Sequence, residues 1–388
     1  MTVEMKKYKL GNIADFDKKT LSKKDSMDVI EYLDTGSLTE NIFGPMQVLS
    51  RQDAPSRAQR RVFDKTILYS TVRPRLKHYG FMEKPKENTI VSTGFVTIDV
   101  KDEYKNVIDP YYLYLLLIQD KITEYLGTIA DTAVSSYPSL NPSDIQMLEF
   151  EFPDLSIQKK IASVLYNIDK RVVNLRTQNR VLEQTAKTIY DYTFLQCAGH
   201  QTTYNKTLNR NIPVDWEVKK LGDLCSIFTG KKDVSKRIPG DYAFFSCAPE
   251  KLSSNEYLYD GQAILVSGNG SYTGRVSYYD GKFDLYQRTY ACVLKNTSAS
   301  VMPYLYFTMK YLFEPAYSGG THGSAIPYIV MNDLTNYSIC WNSPAIESFV
   351  QRVSPMFKKR LINLKQIEAL IAQRNTLLPL LMTGQIEV

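Results

Sequence analysis

The sequence predicts an α+β fold with two globular domains in pseudo-twofold tandem. Two long helices that form an antiparallel coiled coil separate and join these domains. Two observations predict this fold: the second half of the chain repeats the first, and each copy ends in a long helix with a seven-residue apolar period. Hydrophobic residues make up 44% and charged residues 23% of the chain, which is typical of a globular protein.

The repeat is clearest in the helices, where Lys170–Leu175 and Lys359–Leu364 share four of six residues at an offset of 359 − 170 = 189. Upstream, further matches follow in the same order with small changes of offset. They pair Tyr137-Pro138 with Ile326-Pro327, Asp144-Ile145 with Asp333-Leu334, Tyr112–Leu115 with Tyr304–Phe307, Ile67–Ser70 with Ile264–Ser267, and Lys9–Gly11 with Lys220–Gly222. Because chance does not readily supply all of these in one order, each half is predicted to be a globular domain followed by a long helix.

The first long helix carries two apolar stripes. One stripe recurs every seventh residue and the other lies four residues further on: Ile161, Ile168, Leu175, Leu182 and Ile189, then Leu165, Val172, Asn179 and Ala186. This is the seam of a coiled coil, in which a polar residue such as Asn179 fixes the register at a cost in stability. Asp154, after Pro153, is suited to cap the first turn.

The second long helix keeps one stripe, formed by Val350, Phe357, Leu364, Ile371 and Leu378, and is predicted to end at Pro379 with Gly384 beyond. Pro355 leaves two alternatives: Ser354 caps a helix that begins there, or an earlier helix kinks at this proline. A single helix of this kind would be interpreted as an ordinary amphipathic core helix. Two copies that each follow a copy of one domain favour a pair, and about 36 residues at roughly 1.5 Å each form a rod of about 54 Å that holds the two domains apart.

The predicted organisation has five segments: a globular domain at 1–153, a helix at 154–196, a polar linker at 197–213, a globular domain at 214–343 and a helix at 344–388. Helices are also expected at Pro110–Leu126 and Pro303–Leu312. Strands are predicted from β-branched and aromatic runs. They cover Lys65–Tyr69, Thr89–Val91, Phe95–Val100, Ala263–Val266, Arg275–Tyr279 and Tyr290–Leu294.

The charge distribution indicates local basic surfaces. The net charge is +6, and the stretches Ile157–Phe194 and Ile346–Leu378 of the long helices account for +4 each, so the rest of the chain is near −2. Candidate DNA-binding cations lie in two groups: Arg51, Arg57, Arg60, Arg61, Arg73, Arg75 and Lys77 in the first domain, and Lys231, Lys232, Arg275 and Arg288 in the second. Cations neutralise phosphates, and Arg, Asn, Gln and Ser contact base edges. The alternative is a solvated charged face, which a charge run usually forms.

The segment Ser267–Gly274 is glycine-rich but lacks the Gly-Lys-Ser/Thr ending of a nucleotide-binding loop. We predict instead a polar turn after a strand, whose free backbone amides meet a DNA phosphate. Its polar side chains, Ser267, Asn269, Ser271 and Thr273, are further DNA-binding candidates.

No catalytic or metal site is predicted. Asp109–Tyr112 resembles the Asp-Pro-Pro-Tyr of adenine methyltransferases only superficially, since Tyr111 replaces the second proline. The histidines are scattered, with His322 in a predicted loop at Gly319–Ser324, and the five cysteines lack metal or disulfide spacing. The N-terminus shows no secretory signal, and the longest apolar run, Tyr111–Ile118, is too short to span a bilayer, so we expect a cytoplasmic protein.

Three segments resemble the DNA specificity subunits of Type I restriction-modification enzymes. They are Arg374–Ile386, Gln158–Leu165 with the following Ile168–Lys170, and Trp216–Asp223. The resemblance covers nearly the whole chain, and its helical motifs are fairly specific. At the N-terminus, Tyr8–Asn12 lacks the upstream Trp of the family pattern.

The resemblance implies that each globular domain is a target-recognition domain for one half of a split, asymmetric site in double-stranded DNA. It also implies that the helices set the spacing and bind two modification subunits, which carry the adenine methyltransferase chemistry, and that restriction and translocase subunits join them. This chain would then hold no cofactor, with S-adenosylmethionine, ATP and Mg on the partner subunits. The resemblance also implies a bacterial or archaeal protein that is associated with the nucleoid. The alternatives are a fused or stand-alone methyltransferase or nuclease, and a coiled-coil adaptor that never contacts DNA.

Overall fold

The computed structural model describes residues 5–22, 25–132, 138–295, 301–318 and 327–386. Tyr137, Ile326 and the predicted loop with His322 lie outside these ranges. The chain forms two compact units: the first contains Met1–Arg176 with Lys365–Val388, and the second contains Thr177–Leu364. Each unit therefore includes part of both long helices. The predicted division into five segments stays a prediction.

The first unit mixes short helices and strands. Its strands are β1 Lys6–Lys9, β2 Ala14–Phe16, β3 Val29–Leu33, β4 Leu38–Thr39, β5 Ile42–Phe43, β6 Gln47–Ser50, β7 Ala58–Arg61, β8 Ile67–Ser70, β9 Tyr79–Phe81, β10 Thr89–Ser92, β11 Phe95–Val100 and β12 Glu149–Phe152. Its helices are α1 Leu10–Ile13, α2 Pro110–Leu117, α3 Asp120–Asp131 and α4 Pro142–Gln146, followed by the start of the long helix α5 Leu155–Tyr190. The sheets have the orders β2-β11-β8-β9, β6-β3-β10-β7, β1-β12 and β4-β5.

The second unit has one larger sheet. Its strands are β13 Thr202–Asn205, β14 Arg210–Pro213, β15 Glu217–Lys220, β16 Cys225–Thr229, β17 Tyr242–Phe245, β18 Lys251–Ser254, β19 Tyr259–Ser267, β20 Val276–Leu285, β21 Thr289–Leu294 and β22 Ser338–Trp341. Its helices are α6 Leu221–Leu224, α7 Met302–Thr308, α8 Glu314–Tyr317 and α9 Met331–Thr335, followed by the long helix α10 Ser343–Met382. The sheets have the orders β16-β21-β19-β20-β17-β18, β13-β14 and β15-β22.

The internal repeat predicted from the sequence is confirmed by the backbone. The order β2-β11-β8-β9 in the first unit recurs as β16-β21-β19-β20 in the second. Hydrogen bonds outside the ladders also recur between repeat-related residues. They include Leu10 N to Leu148 O with Leu221 N to Tyr337 O, Lys101 N to Ile13 O with Lys295 N to Leu224 O, Leu140 N to Thr71 O with Ile329 N to Gly268 O, and Arg73 N to Pro138 O with Gly270 N to Pro327 O.

Helix α5 begins after Asp154, whose carbonyl accepts hydrogen bonds from the amides of Ile157 and Gln158. Most of the predicted stripe is buried. The buried members are Ile161, Leu165, Val172, Leu175, Asn179 and Ala186, while Ile168, Leu182 and Ile189 are half-buried. On α10, Val350, Phe357 and Leu378 are buried and Ile371 is half-buried, but Leu364 is 39% exposed, so its placement in the seam is wrong. The buried positions there are Asn363 and Ile367.

The two prolines of α10 do not bound it. The helix begins at Ser343, where the Asn342 side chain accepts a hydrogen bond from the amide of Ala345, so Ser354 does not start it. Pro355 therefore lies in the helix interior. Burial of the neighbouring Val353 and Phe357 offsets the hydrogen bond that a proline cannot make.

The C-terminal end of α10 was also predicted wrongly. The helix includes Pro379 and ends at Met382, because Leu378 and Leu381 are buried in the core of the first unit. Gly384, with φ of 69°, follows in the left-handed conformation that commonly ends a helix.

Other predicted elements need smaller corrections. The helix expected at Pro110–Leu126 is two helices, since Gln119 is extended and its carbonyl accepts from Ile122 at the start of α3. The helix expected at Pro303–Leu312 passes at Met309–Phe313 into a π-helical turn. The polar segment 197–213, predicted as a linker, contains the hairpin β13–β14, and its Ile212 packs into the core of the second unit.

Candidate nucleic-acid interface

Ion pairs within the first unit neutralise most of the predicted basic patch. Arg60 pairs with Asp17, and Arg61 lies 3.4 Å from Asp25. Burial lowers the pKa of Arg60. Arg51 donates to the backbone carbonyls of Ser22 and Asp25, so this guanidinium holds a loop.

Arg75 and Lys77 are also engaged with acidic side chains. Arg75 contacts Glu124 at 2.9 Å and Asp131 at 2.6 Å, and these hydrogen bonds raise the pKa of its guanidinium. Lys77 lies 2.8 Å from Asp120, a hydrogen bond that raises the pKa of its amine. These contacts link the turn after β8 to helix α3, so a structural role accounts for both cations.

Arg57 is different. Its side chain is exposed and makes no hydrogen bond or ion pair within the described part of the chain. Its carbonyl accepts from the amide of Thr93 in the turn between β10 and β11. Arg73 is also exposed. It lies in the turn after β8, where its φ is 47°.

Backbone hydrogen bonds bring several loops together at one end of the repeated sheet in each unit. We call this the sheet-end surface. In the first unit it comprises Arg57, Thr71–Arg73, Ser92–Gly94 and Pro138–Leu140, and in the second Lys231–Lys232, Gly268–Gly270, Tyr286–Arg288 and Pro327–Ile329. Equivalent bonds build both: Thr93 N to Arg57 O and Thr71 N to Gly94 O in the first, Gln287 N to Lys232 O and Gly268 N to Arg288 O in the second.

In the second unit this surface contains half of the predicted DNA-binding residues, namely Lys231, Lys232, Asn269 and Arg288. Lys231 and Arg288 are exposed and make no side-chain hydrogen bond or ion pair in the described ranges. Lys232 is instead paired with Glu256 and, at 3.1 Å, with Asp284. Lys231 and Arg288 therefore carry the positive charges of this surface that have no acidic partner among the described residues.

The glycine-rich turn has a structural role for several of its polar groups. The Ser267 hydroxyl donates to Cys247 O at 2.9 Å, and the buried Thr273 hydroxyl donates to Pro327 O at 2.9 Å. Asn269 is half-exposed, and its backbone forms an isolated antiparallel β-bridge with Tyr328. Ser271 is exposed. The expectation of free backbone amides is wrong for most of the turn, because they are already bonded at Gly268, Gly270, Thr273, Gly274 and Arg275.

Arg275 shapes the surface from behind. Its guanidinium donates to Ala248 O at 2.7 Å and lies 5.8 Å from the centre of the Tyr272 ring. Half-burial lowers the pKa of Arg275. Tyr272, which is 46% exposed, and Gln287, which is exposed beside Arg288, are not among the predicted DNA-binding residues. A single Gln in a loop carries no signal that singles it out before the turn is placed.

The long helices carry polar contacts with the globular part of each unit. In the first unit, Asp169 of α5 lies 2.8 Å from Arg374 of α10 and accepts a 2.5 Å hydrogen bond from the Tyr111 hydroxyl. Burial raises the pKa of Asp169, although Arg374 opposes the shift. In the second unit, Glu183 lies 3.2 Å from Arg360 and accepts from the Tyr306 hydroxyl.

The helices run antiparallel within each unit. In the first unit Asp169 faces Arg374, while the later residue Leu175 clusters with the earlier Ile367. In the second unit the Asn363 amide donates to Asn179 Oδ1 at 2.9 Å, and both side chains are buried. The polar position predicted at Asn179 thus has a polar partner that the seven-residue period did not indicate.

The Asp109 carboxylate caps helix α2, because its Oδ1 accepts from the amides of Tyr111 at 3.0 Å and Tyr112 at 2.9 Å. A capping role accounts for this segment. Among the described residues no group of three or more His, Cys, Asp or Glu side chains is arranged to hold a metal ion. None of the described helices has the length and apolar character required to cross a bilayer.

Comparison with known proteins assigns the family. The family described as the Type I restriction modification DNA specificity domain matches residues 2–184 and 213–346. The chain is 28% identical over 355 residues to the Type I restriction enzyme MjaIX specificity subunit of Methanocaldococcus jannaschii, covering 84% of this chain and 79% of that protein. It is 29% identical over 196 residues to the HindI specificity subunit of Haemophilus influenzae, covering 50% of this chain and 41% of that protein.

A solved structure shares the fold. The crystal structure of the Type-I restriction-modification system S subunit from M. genitalium superposes with a TM-score of 0.61 at 16% identity, covering 98% of this chain and 96% of that one. The matched family covers both globular regions and most of the first long helix. The chain belongs to the family of Type I restriction-modification specificity subunits, which recognise DNA sequence.

Proposed function

We propose that this chain recognises a bipartite, asymmetric site in double-stranded DNA, with one half-site contacted by the sheet-end surface of each unit. The observation that carries the proposal is the repetition of this surface by equivalent backbone hydrogen bonds. Each copy presents an exposed cation whose side chain has no partner among the described residues, Arg57 in the first unit and Arg288 in the second. Different side chains on equivalent backbones suit the recognition of two different half-sites.

The long helices α5 and α10 set the spacing between the half-sites and provide the binding surface for two modification subunits. The antiparallel contacts within each unit support a pairing in one register, because Asp169–Arg374, Asn179–Asn363 and Glu183–Arg360 are all specific polar contacts. The predicted seam residues other than Leu364 are then spacer residues.

The chain acts as a non-catalytic subunit. The modification subunits transfer the methyl group to adenine and hold S-adenosylmethionine, and restriction subunits with ATP and Mg complete the enzyme. The use of the Asp109 carboxylate as a helix cap supports this assignment, since the one segment that resembles a methyltransferase motif has a structural role. Double-stranded DNA and these subunits are the proposed partners.

The experiment is an exchange of one domain. Residues 214–343 are replaced by the corresponding segment of the MjaIX specificity subunit, and the chimera is expressed with the modification subunit in cells whose methylated adenines are mapped by sequencing. One half of the methylated motif should change while the other half and the spacer length stay the same.

Two controls complete this experiment. Replacing the first globular region instead should change the opposite half of the motif, and the chain expressed without a modification subunit should give no methylation. A chimera that changes both halves, or a wild-type motif that is continuous, would show that the proposal is wrong.

A further inference from the structure

The turn between β20 and β21 has a backbone that is fixed from several sides. Tyr286 N donates to Phe245 O at 3.0 Å, Gln287 N donates to Lys232 O at 3.0 Å, and Arg288 O accepts from Gly268 N at 2.8 Å. Gly268 permits this close approach, since a Cβ there would lie 2.3 Å from Arg288 O. Segments from three other parts of the second unit therefore fix the position of the turn.

The side chains of this turn contrast with its backbone. Gln287 and Arg288 are exposed, and neither makes a side-chain hydrogen bond or ion pair with the described residues. Nearby cations are engaged: Lys232 is paired with Asp284, and Arg275 donates to Ala248 O. Only a small entropic cost in the backbone remains when such side chains bind a ligand, because the turn is already ordered.

The two side chains are those that discriminate purines in the major groove. Arginine donates two hydrogen bonds to O6 and N7 of guanine, and glutamine bonds N6 and N7 of adenine. β19 lies between β20 and β21 in the sheet, so these side chains lie on a loop that joins two strands across a third. Lys231 directly precedes Lys232, whose carbonyl accepts the hydrogen bond from Gln287 N. The exposed amine of Lys231 is suited to contact a backbone phosphate.

We infer that Gln287 and Arg288 are base-reading residues of the second domain, which contact an adenine and a guanine in its half-site, with Lys231 on a flanking phosphate. This inference rests on the proposed function and names the contacts of the same surface. Arg275 is a positioning residue, because its guanidinium donates a hydrogen bond to Ala248 O and so holds the loop that contains Ala248.

The first domain cannot use the equivalent turn in this way. By the shared hydrogen bonds, Thr93 and Gly94 occupy the places of Gln287 and Arg288, and neither has a side chain long enough for two bonds to a base edge. The exposed Arg57, whose carbonyl holds Thr93, is the long side chain at that place. Changes at Gln287 and Arg288 should therefore leave the first half-site unaltered, which provides an internal control.

The test uses the full chain in complex with its modification subunit. Arg288→Ala, Arg288→Lys, Gln287→Ala and Lys231→Ala are compared by mapping methylated adenines in cells and by measuring affinity for duplexes that carry the wild-type motif or single-base changes. Lys282→Ala is the matched control, since Lys282 is an exposed cation of the same sheet that lies 4.7 Å from the Tyr257 ring.

Arg288→Ala should reduce discrimination at one guanine of the second half-site by about tenfold to a hundredfold. Arg288→Lys should restore affinity but not this discrimination, because lysine keeps the charge and loses the two-bond geometry. Gln287→Ala should reduce discrimination at one adenine of the second half-site. Lys231→Ala should weaken all duplexes alike and lower the slope of log affinity against log salt by about one. Lys282→Ala should match the wild type.

The inference is overturned if Arg288→Ala and Gln287→Ala leave the second half of the motif unchanged while the complex still methylates DNA. It is also overturned if the first half changes in these variants, or if Arg288→Lys recovers full discrimination. If these variants keep the wild-type two-part motif, only this inference is wrong. If the wild-type protein has a motif without two parts, the proposed function is wrong.

Discussion

The two units share one sheet and differ in what is attached to it. In the first unit the strands β2-β11-β8-β9 stand beside a separate sheet, β6-β3-β10-β7, while in the second unit the equivalent strands are extended by β17 and β18. The hydrogen bonds that bring the sheet-end loops together are nevertheless equivalent. The backbone therefore fixes where the sheet-end surface lies in each unit, while the exposed side chains on it differ.

The polar contacts on the long helices differ in burial. The side chains of Asp169 and Arg374 in the first unit are 15% and 12% exposed, and those of Glu183 and Arg360 in the second are 26% and 20% exposed. A more deeply buried pair leaves a more costly charge behind when one partner is removed. The first pair is therefore expected to be the more sensitive of the two.

The largest expected effect is that of Arg374→Met. This change leaves the Asp169 carboxylate buried without its cation, and we expect a loss of about 3–5 kcal/mol in the free energy of unfolding. Arg360→Met is the matched variant in the second unit and should cost only about 1 kcal/mol, since its partner is better hydrated. Calorimetric unfolding of both variants measures the difference, and equal losses would contradict the comparison.

The pH dependence of Arg374→Met sharpens the same comparison. Burial already raises the pKa of Asp169, and removing the opposing Arg374 should raise it further. A carboxyl group whose pKa is higher in the folded protein than in the unfolded chain favours folding when protonated, so stability is lost as pH rises through the folded-state pKa. The deficit of the variant should therefore shrink between pH 7 and pH 5, while that of Arg360→Met changes less. A deficit that grows on acidification would contradict this.

A smaller effect is expected at the glycines of the second unit's turn. Gly274→Ala should cost about 3 kcal/mol, because φ is 84° and the new Cβ would lie 2.6 Å from Tyr317 O. Gly270→Ala should cost only about 1 kcal/mol, since φ is 80° but no atom lies within 4 Å. The repeat-related residues of the first unit, Arg73 and Lys77, hold the same left-handed conformation with side chains, at φ of 47° and 55°. Equal unfolding temperatures for the two variants would show that the carbonyl contact is unimportant.

The smallest expected effect is that of Leu364→Gln. Because Leu364 is 39% exposed, the free energy of unfolding should change by less than about 0.5 kcal/mol. Ile367→Gln, which places an amide in the buried cluster with Val172 and Leu175, should cost more than about 2 kcal/mol. A large loss from Leu364→Gln, measured by the same calorimetry, would restore Leu364 to the seam.

Periodicity and repetition were sufficient to predict the long helices and the duplicated domain, because both are patterns in the order of residue types along the chain. Leu165, Leu175 and Asn179 are buried where the seven-residue period places them. The same reasoning failed at Leu364, one residue from the buried Asn363. The period of one helix does not specify which neighbouring residue its partner helix covers.

The prolines of α10 show the same division. Pro355 and Pro379 are helix-breaking by local preference, yet α10 continues through both because Phe357 and Leu381 are buried beside them. The basic residues of the first domain are a second example. In the sequence, nothing distinguishes Arg60, Arg61 and Arg75 from Arg57, and only the structure shows that these three have acidic partners.

The sequence by itself determined the family, the repeat and the long helices, since each follows from the order of residue types along the chain. Tertiary structure alone decided which cations have no partner among the described residues and that Gln287 and Arg288 are exposed on a turn whose backbone is fixed. The physical reason is that an ion pair or a hydrogen-bonded turn depends on groups brought together from distant segments, and no local pattern encodes those distances.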